Sequence, residues 1–229
     1  MITVHYIISK IFKSGGLNMK QVICFGDSNT FGYIPGTGKR YPWGKRWTSI
    51  LSEKLAGTDS RVVEEGLVGR TTIFEDPLRD GRCGVKLLPV ILETHAPSDE
   101  DLVVIMLGTN DCKAIYGASP EVIAKGVGRL VRQVKAYSDK VKILIISPIH
   151  LGENVWKEGF DPEFDGNSVE ISKKLAAEYR KISRAENTYF LDASEFAVPS
   201  KTDEEHMDED NHSRLASAVY EKIRAIRCA

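Results

Sequence analysis

Short apolar runs alternate along the chain with longer segments in which apolar residues recur at the spacing of a helix. A short apolar run is typical of a strand buried on both faces of a parallel sheet. We predict strands at residues 22–25, 61–65, 102–107, 141–146 and 188–191. We predict helices at residues 47–55, 85–95, 120–137, 169–184 and 210–227. Strand and helix alternating five times predict an α/β fold, with one parallel sheet covered by helices on both faces.

Size and composition narrow the classes of protein that this chain can represent. A length of 229 residues allows one large domain or two small ones, and the alternation without a linker favours one. The hydrophobic content of 42% is sufficient for a substantial core. The net charge of -1 leaves no broad basic field, so we expect binding neither to nucleic acid nor to a membrane.

The cysteines suggest a cellular compartment. The four are scattered, and none forms a Cys-x-x-Cys pair. This usage predicts a reduced, cytoplasmic protein without a disulfide framework or a zinc site. They are Cys24, Cys83, Cys112 and Cys228.

The first residues of the chain differ from the rest. Residues 1–16 are apolar and basic, but Ser9 and Lys10 interrupt the apolar run and no Ala-x-Ala-like cleavage site follows. This pattern argues against a secretory signal. We predict an extension at residues 1–18 and a single domain at residues 19–229. Two alternatives would account for the boundary. Translation could start at Met19, or the extension could pack on a neighbouring molecule.

Polar turns follow the predicted strands, and one more lies beyond the last strand. They occupy residues 26–28, 66–69, 108–111 and 203–206. Because all the strands of a parallel sheet end at one edge, these turns can converge on one cleft. Gly26-Asp27-Ser28 alone would suit an ordinary turn, since Asp and Ser bond their own backbone there. Convergence favours Ser28 as a nucleophile.

A serine nucleophile needs a base and a group that orients the base. We favour His206 as the base because it lies in a loop, with Asp203 three residues before it. Glu209 precedes His212 by the same spacing, but His212 falls in a predicted helix. His150 follows a strand and is a possible pocket residue. The remaining histidines are His5, in the extension, and His95, at a helix end away from the cleft.

The oxyanion of an acyl-transfer reaction needs hydrogen-bond donors aimed at it. The backbone N–H groups of Ser28 and Gly69 and the side-chain amide of Asn110 are the candidates. Gly69 and Asn110 would also suit plain tight turns. The convergence of the polar turns favours a place for both residues in an oxyanion hole over that alternative.

These residues resemble a known family. The four blocks of the SGNH, or GDSL-type, hydrolase family are matched in order by Gly26-Asp27-Ser28, Gly69, Gly108-x-Asn110 and Asp203-x-x-His206. Further segments resemble its bacterial arylesterase/acyltransferase branch, and the resemblance runs from Lys20 to the C-terminus. These segments are Arg46-Trp47, residues 64–67, residues 70–72, Asp76-Pro77 and residues 105–111.

The resemblance implies a fold and a set of roles. The fold would be a flavodoxin-like three-layer α/β/α sandwich with a central five-stranded parallel sheet. Ser28 would be the nucleophile, His206 the base and Asp203 its partner. Ser28, Gly69 and Asn110 would form the oxyanion hole. No metal and no organic cofactor would be required.

Two departures from the family pattern concern the substrate. Asn29 stands where Leu is most usual. Glu204 and Glu205 replace the small and apolar residues that are common between the Asp and the His. Their carboxylates are expected to raise the pKa of His206 or to repel anionic substrates.

We therefore expect a serine-dependent carboxylic ester hydrolase that acts on a small-molecule ester with a short acyl chain. Bulky loop residues would form the walls of the pocket. The candidates are Phe31, Tyr33, Trp43, Ile115, Tyr116, His150 and Trp156.

The long connection at residues 150–167 has two possible roles. Its aromatic residues Trp156, Phe160 and Phe164 could bury against a second copy of the chain, giving a homo-oligomer. A lid over the cleft is the alternative. Light scattering of the protein, with and without this loop, distinguishes them.

Two alternatives to a simple esterase remain. A carbohydrate O-deacetylase would use the same three residues, since aromatic loops also stack on sugars. A non-catalytic small-molecule binding module would hold a phosphate at the sheet edge. No Gly-rich phosphate loop of the usual spacing precedes a helix, which argues against the module.

Overall fold

The computed structural model describes residues 19–228, and the predicted extension at residues 1–18 lies outside them. The central sheet has five parallel strands in the order β2-β1-β3-β4-β5. The strands are β1 (Lys20–Gly26), β2 (Ser60–Gly66), β3 (Leu102–Met106), β4 (Lys142–Ser147) and β5 (Tyr189–Asp192). This sheet confirms the predicted fold class.

Six α-helices connect or follow these strands within the described part of the chain. They are α1 (Ser28–Phe31), α2 (Trp47–Lys54), α3 (Gly84–His95), α4 (Pro120–Tyr137), α5 (Gly166–Ala185) and α6 (Glu209–Cys228). Sequence periodicity predicts the five long helices to within a few residues. The short helix α1 is not predicted, because a single turn contains no periodic repeat.

Alternating side chains of each strand face opposite layers of helices. Ile23 and Ile105 pack with α3, α4 and α5 in one apolar cluster. Val22 and Val104 pack with α2 and α6 in the other. Both faces of the sheet are therefore covered, which explains why the strands are apolar throughout.

The strands end in register at one edge of the sheet. Gly26, the last residue of β1, pairs with Gly66 of β2 and with Met106 of β3. Helix α1 folds back over this edge, so a Cβ atom on Gly26 would lie 2.0 Å from Thr30 Oγ1. A Cβ atom on Gly66 would lie 2.1 Å from the Phe31 backbone nitrogen. These two glycines let the turn that carries Ser28 pack directly onto the sheet.

Helices α2 to α6 cover the two faces of the sheet. Among residues 19–228, no helix combines the length and the apolar character that a membrane crossing requires.

Candidate active site

Ser28 is the first residue of α1, and only Asp27 separates it from the end of β1. The Asp27 side chain caps this helix by accepting a hydrogen bond from the Asn29 backbone nitrogen at 3.0 Å. Gly32 ends it in the left-handed conformation, with φ +81°. The sharp strand-to-helix turn places the buried Ser28 side chain at the carboxyl edge of the sheet.

His206 reaches Ser28 from the loop between β5 and α6. The distance from His206 Nε2 to Ser28 Oγ is 2.9 Å, and that from His206 Nδ1 to Asp203 Oδ2 is 2.8 Å. The other Asp203 oxygen accepts the backbone N–H groups of Glu205 and His206. The Tyr33 ring lies against the imidazole, with the ring centroids 4.3 Å apart. The imidazole is therefore oriented by Asp203 with one nitrogen facing Ser28.

The charges around His206 make it a stronger base than an isolated histidine. Burial opposes its charged form, but the Glu205 carboxylate and the hydrogen bond to Asp203 outweigh burial and raise the pKa of His206. Burial would raise the pKa of Asp203, yet the hydrogen bond and charge of His206 hold it below its usual range. Asp203 is therefore ionised at neutral pH, and it stabilises a proton gained by His206. From the sequence we expect Glu204 and Glu205 to raise the pKa of His206, and the Glu205 carboxylate lies close enough to do so.

Asn29 links the turn of Ser28 to the loop of His206. Its side-chain oxygen accepts the Met207 backbone N–H at 3.0 Å, and its side-chain nitrogen donates to the Glu205 carbonyl at 3.3 Å. The side chain is almost wholly buried. A leucine at this position could make neither hydrogen bond, so the departure from the family pattern has a structural role here.

The candidate oxyanion-hole residues lie in the same cavity. Ser28, Gly69, Asn110 and His206 all line a space of about 310 Å³. Gly69 has φ +78°, which favours glycine in this turn. One hydrogen of the Asn110 amide is donated to the Arg70 carbonyl at 3.1 Å. A primary amide has two hydrogens, and no acceptor within residues 19–228 takes the second, which can therefore meet a ligand.

A buried carboxylate holds together the two loops that carry Gly69 and Asn110. Asp111 accepts hydrogen bonds from both the backbone nitrogen and the hydroxyl of Thr72. Burial raises the pKa of Asp111 to about 6, although the bonds from Thr72 oppose the shift. The turn containing Gly69 is thereby fixed against the turn containing Asn110.

Charged side chains form much of the remaining cavity wall. Lys113 Nζ lies 2.7 Å from Glu163 Oε2, and Arg79 Nη1 lies 2.8 Å from Asp76 Oδ2. Arg79 also pairs with Glu163. The other wall residues that sequence reasoning did not identify are Gly36, Val68, Gly159, Phe160, Asp161 and Thr202.

The bulky residues proposed for the pocket lie elsewhere, except Tyr33. Within residues 19–228, the Ser28 cavity is lined by none of Phe31, Trp43, Ile115, Tyr116, His150 and Trp156. Ile115 and Tyr116 line a separate space of about 200 Å³, which Glu163 also borders. Phe31 lies beneath the Arg40 guanidinium, and Trp43 is largely exposed beside Arg46.

Two of the other histidines have identifiable contacts away from Ser28. His212 is buried in α6, where its Nδ1 accepts the Trp47 backbone N–H at 3.3 Å. Burial lowers the pKa of His212 to about 3. His95 Nε2 lies 2.6 Å from Glu65 Oε1. These contacts give both residues structural roles.

The aromatic residues of the 150–167 connection have different environments. Phe164 is buried, Phe160 lines the Ser28 cavity, and Trp156 is 45% exposed. Of these three, Trp156 presents the largest apolar surface to a second copy. Self-association through this connection stays a prediction.

The fold and the hydrogen-bonded Ser–His–Asp arrangement define a class of α/β serine hydrolases. The model of the GDSL-like Lipase/Acylhydrolase family matches residues 24–216. No curated protein matches the chain. The chain belongs to the GDSL-like lipase/acylhydrolase family, whose members include the SGNH hydrolases, and it is a carboxylic ester hydrolase.

Solved structures agree with this assignment. The native aryl esterase of M. smegmatis is 35% identical, with a TM-score of 0.84 over 90% of this chain and 99% of that one. Est24, a carbohydrate acetylesterase from Sinorhizobium meliloti, is 34% identical, with a TM-score of 0.82 over 90% of this chain and 99% of Est24. A carbohydrate acetylesterase family member from the same organism is 37% identical, with a TM-score of 0.83 over 90% of this chain and 98% of that one. The chain thus resembles both aryl esterases and carbohydrate acetylesterases.

The contacts of Asn29 predict that Asn29→Leu lowers kcat/KM for an aryl acetate about 10- to 100-fold. Leucine leaves the Met207 N–H and the Glu205 carbonyl without partners, so the His206 loop is no longer fixed relative to Ser28. Steady-state kinetics and thermal unfolding measure the two effects.

Asn211→Leu is the matched control, because Asn211 is also buried and accepts a backbone N–H, that of Val198. It should lower stability without a comparable loss of kcat/KM. Equal kinetic losses in the two variants would show that Asn29 has no particular role in the site.

Proposed function

We propose that the protein hydrolyses short-chain acyl esters in two steps, through an acyl-enzyme on Ser28. The observation that carries this proposal is the continuous hydrogen-bond chain from Ser28 Oγ through the His206 imidazole to Asp203. This is the arrangement that a serine hydroxyl requires to become a nucleophile at neutral pH.

In the first step, Ser28 Oγ attacks the ester carbonyl while His206 Nε2 takes the hydroxyl proton. Asp203 accepts the hydrogen bond from Nδ1–H and stabilises the imidazolium that forms. The negative charge on the former carbonyl oxygen is met by the backbone N–H groups of Ser28 and Gly69 and the Asn110 amide.

Collapse of the tetrahedral intermediate breaks the bond to the alcohol oxygen, which receives the proton from His206 Nε2. The acyl group stays on Ser28 Oγ. A water molecule then attacks the acyl-enzyme, with His206 again taking the proton. Release of the carboxylic acid restores the Ser28 hydroxyl.

The cavity supports carbohydrate O-deacetylation as a second candidate. Its wall carries the carboxylates of Asp161 and Glu205 and the side chain of Thr202, which suit hydroxyl groups better than an extended apolar chain. The similarity to carbohydrate acetylesterases is in accord with this candidate.

We also propose a cytoplasmic location for a single domain at residues 19–229. The cysteines support the location, because all four have free thiols and three of them are buried.

The Ser28 mechanism predicts that Ser28→Ala lowers kcat for p-nitrophenyl acetate by about 10³-fold or more, because no acyl-enzyme can form. Ser147→Ala is the control. Ser147 is also buried at the carboxyl end of a strand, and its hydroxyl donates to Asp192 instead. Near-wild-type turnover by a folded Ser28→Ala protein would falsify the mechanism.

The size of the cavity predicts a preference for short acyl chains. A space of about 310 Å³, bounded by Tyr33 and Phe160, is too small to enclose both a long chain and an alcohol group. Values of kcat/KM for p-nitrophenyl acetate and butyrate should exceed that for the octanoate. Faster turnover of the octanoate would contradict the assignment of this cavity as the acyl site.

A further inference from the structure

Glu205 is fixed beside the reacting atoms. Its backbone N–H donates to Asp203 at 3.1 Å, and its carbonyl accepts from Asn29 at 3.3 Å. Its side chain lines the Ser28 cavity, with Oε1 3.7 Å from His206 Nε2. This nitrogen is the one that contacts Ser28 Oγ. The carboxylate is therefore a neighbour of the proton that moves during catalysis.

The Glu205 carboxylate has no hydrogen-bond donor of its own among the contacts of residues 19–228, although the residue is only 7% exposed. Its neighbour Glu204 provides the contrast. One Glu204 oxygen accepts the Asn154 backbone N–H and the other pairs with Lys201, and Glu204 does not line the cavity. A carboxylate that lines a cavity without a donor from these residues can accept a hydrogen bond from a ligand bound there.

Lys113 and Arg79, the cations of the cavity wall, donate to carboxylates other than Glu205. Lys113 pairs with Glu163, and Arg79 pairs with both Glu163 and Asp76. The carboxylates of Asp161, Asp203 and Glu205 also border the cavity. An anionic group near His206 would face these negative charges, whereas a neutral hydroxyl could donate to Glu205.

We propose that Glu205 selects esters whose leaving alcohol carries a hydroxyl on the carbon next to the one bonded to the ester oxygen. This inference rests on the proposed function. In that mechanism His206 Nε2 protonates the leaving oxygen, which must therefore lie within about 3 Å of it. Glu205 Oε1 lies 3.7 Å from the same nitrogen. A vicinal hydroxyl extends far enough from the leaving oxygen to donate a hydrogen bond to this carboxylate. Glu205 is thus a specificity determinant for polyol esters.

The test compares two esters of similar size, 2-hydroxyethyl acetate and 2-methoxyethyl acetate. Only the first has a hydroxyl that can donate. The wild-type protein should favour it in kcat/KM by about 10-fold, the effect expected of one hydrogen bond to a charged acceptor. In Glu205→Leu this preference should fall close to 1. In Glu205→Gln, which keeps the side-chain shape, it should fall several-fold.

Glu204→Gln is the matched control and should keep the wild-type preference. Because the readout is a ratio between two substrates, it does not depend on the fraction of folded enzyme. Equal preferences in the wild type and Glu205→Leu would overturn the inference. If both esters were hydrolysed through Ser28 without preference, the inference would fail while the proposed function would stand.

Discussion

The chemistry of the site depends on one hydrogen bond, between Ser28 Oγ and His206 Nε2, which joins residues 178 positions apart. Nothing local in the sequence brings these groups together. The parallel sheet does so, because β1 and β5 both end at the edge where the Ser28 turn and the loop before α6 emerge. Gly26 and Gly66 allow that turn to lie directly on the sheet. The apolar core therefore fixes the geometry of the polar site at this edge of the sheet.

The same site concentrates negative charge around its base. Asp203 orients the imidazole of His206, and Glu205 lies on the side of Ser28. Asp27 contributes as well, and burial raises its own pKa to about 7. Burying three carboxylates together costs stability, which the capping bond of Asp27 and the backbone bonds to Asp203 partly offset. These carboxylates make His206 more basic, and we expect them to disfavour anionic substrates.

The fold could be predicted from the sequence because continuous apolar runs and helical periodicity are local signals. Asp203 and His206 could be proposed because a loop Asp-x-x-His is a short motif that closes on itself. The cavity wall could not be predicted, because the direction of a loop side chain depends on the packing of the whole loop. Phe31 turns toward Arg40 through the one-turn helix α1, while Phe160 reaches the cavity from the middle of a long connection. The hydrophobic periodicity of the sequence does not indicate the direction of either side chain.

The pH dependence of labelling with a fluorophosphonate tests whether His206 activates Ser28. We expect a single adduct, which mass spectrometry locates on Ser28. His206 must be unprotonated to accept the Ser28 proton, and its pKa is raised above the usual value of about 6.5. The labelling rate should therefore fall as the pH is lowered through a value above 6.5. An adduct on another residue, or a His206→Ala protein labelled at the wild-type rate, would show that His206 does not activate Ser28.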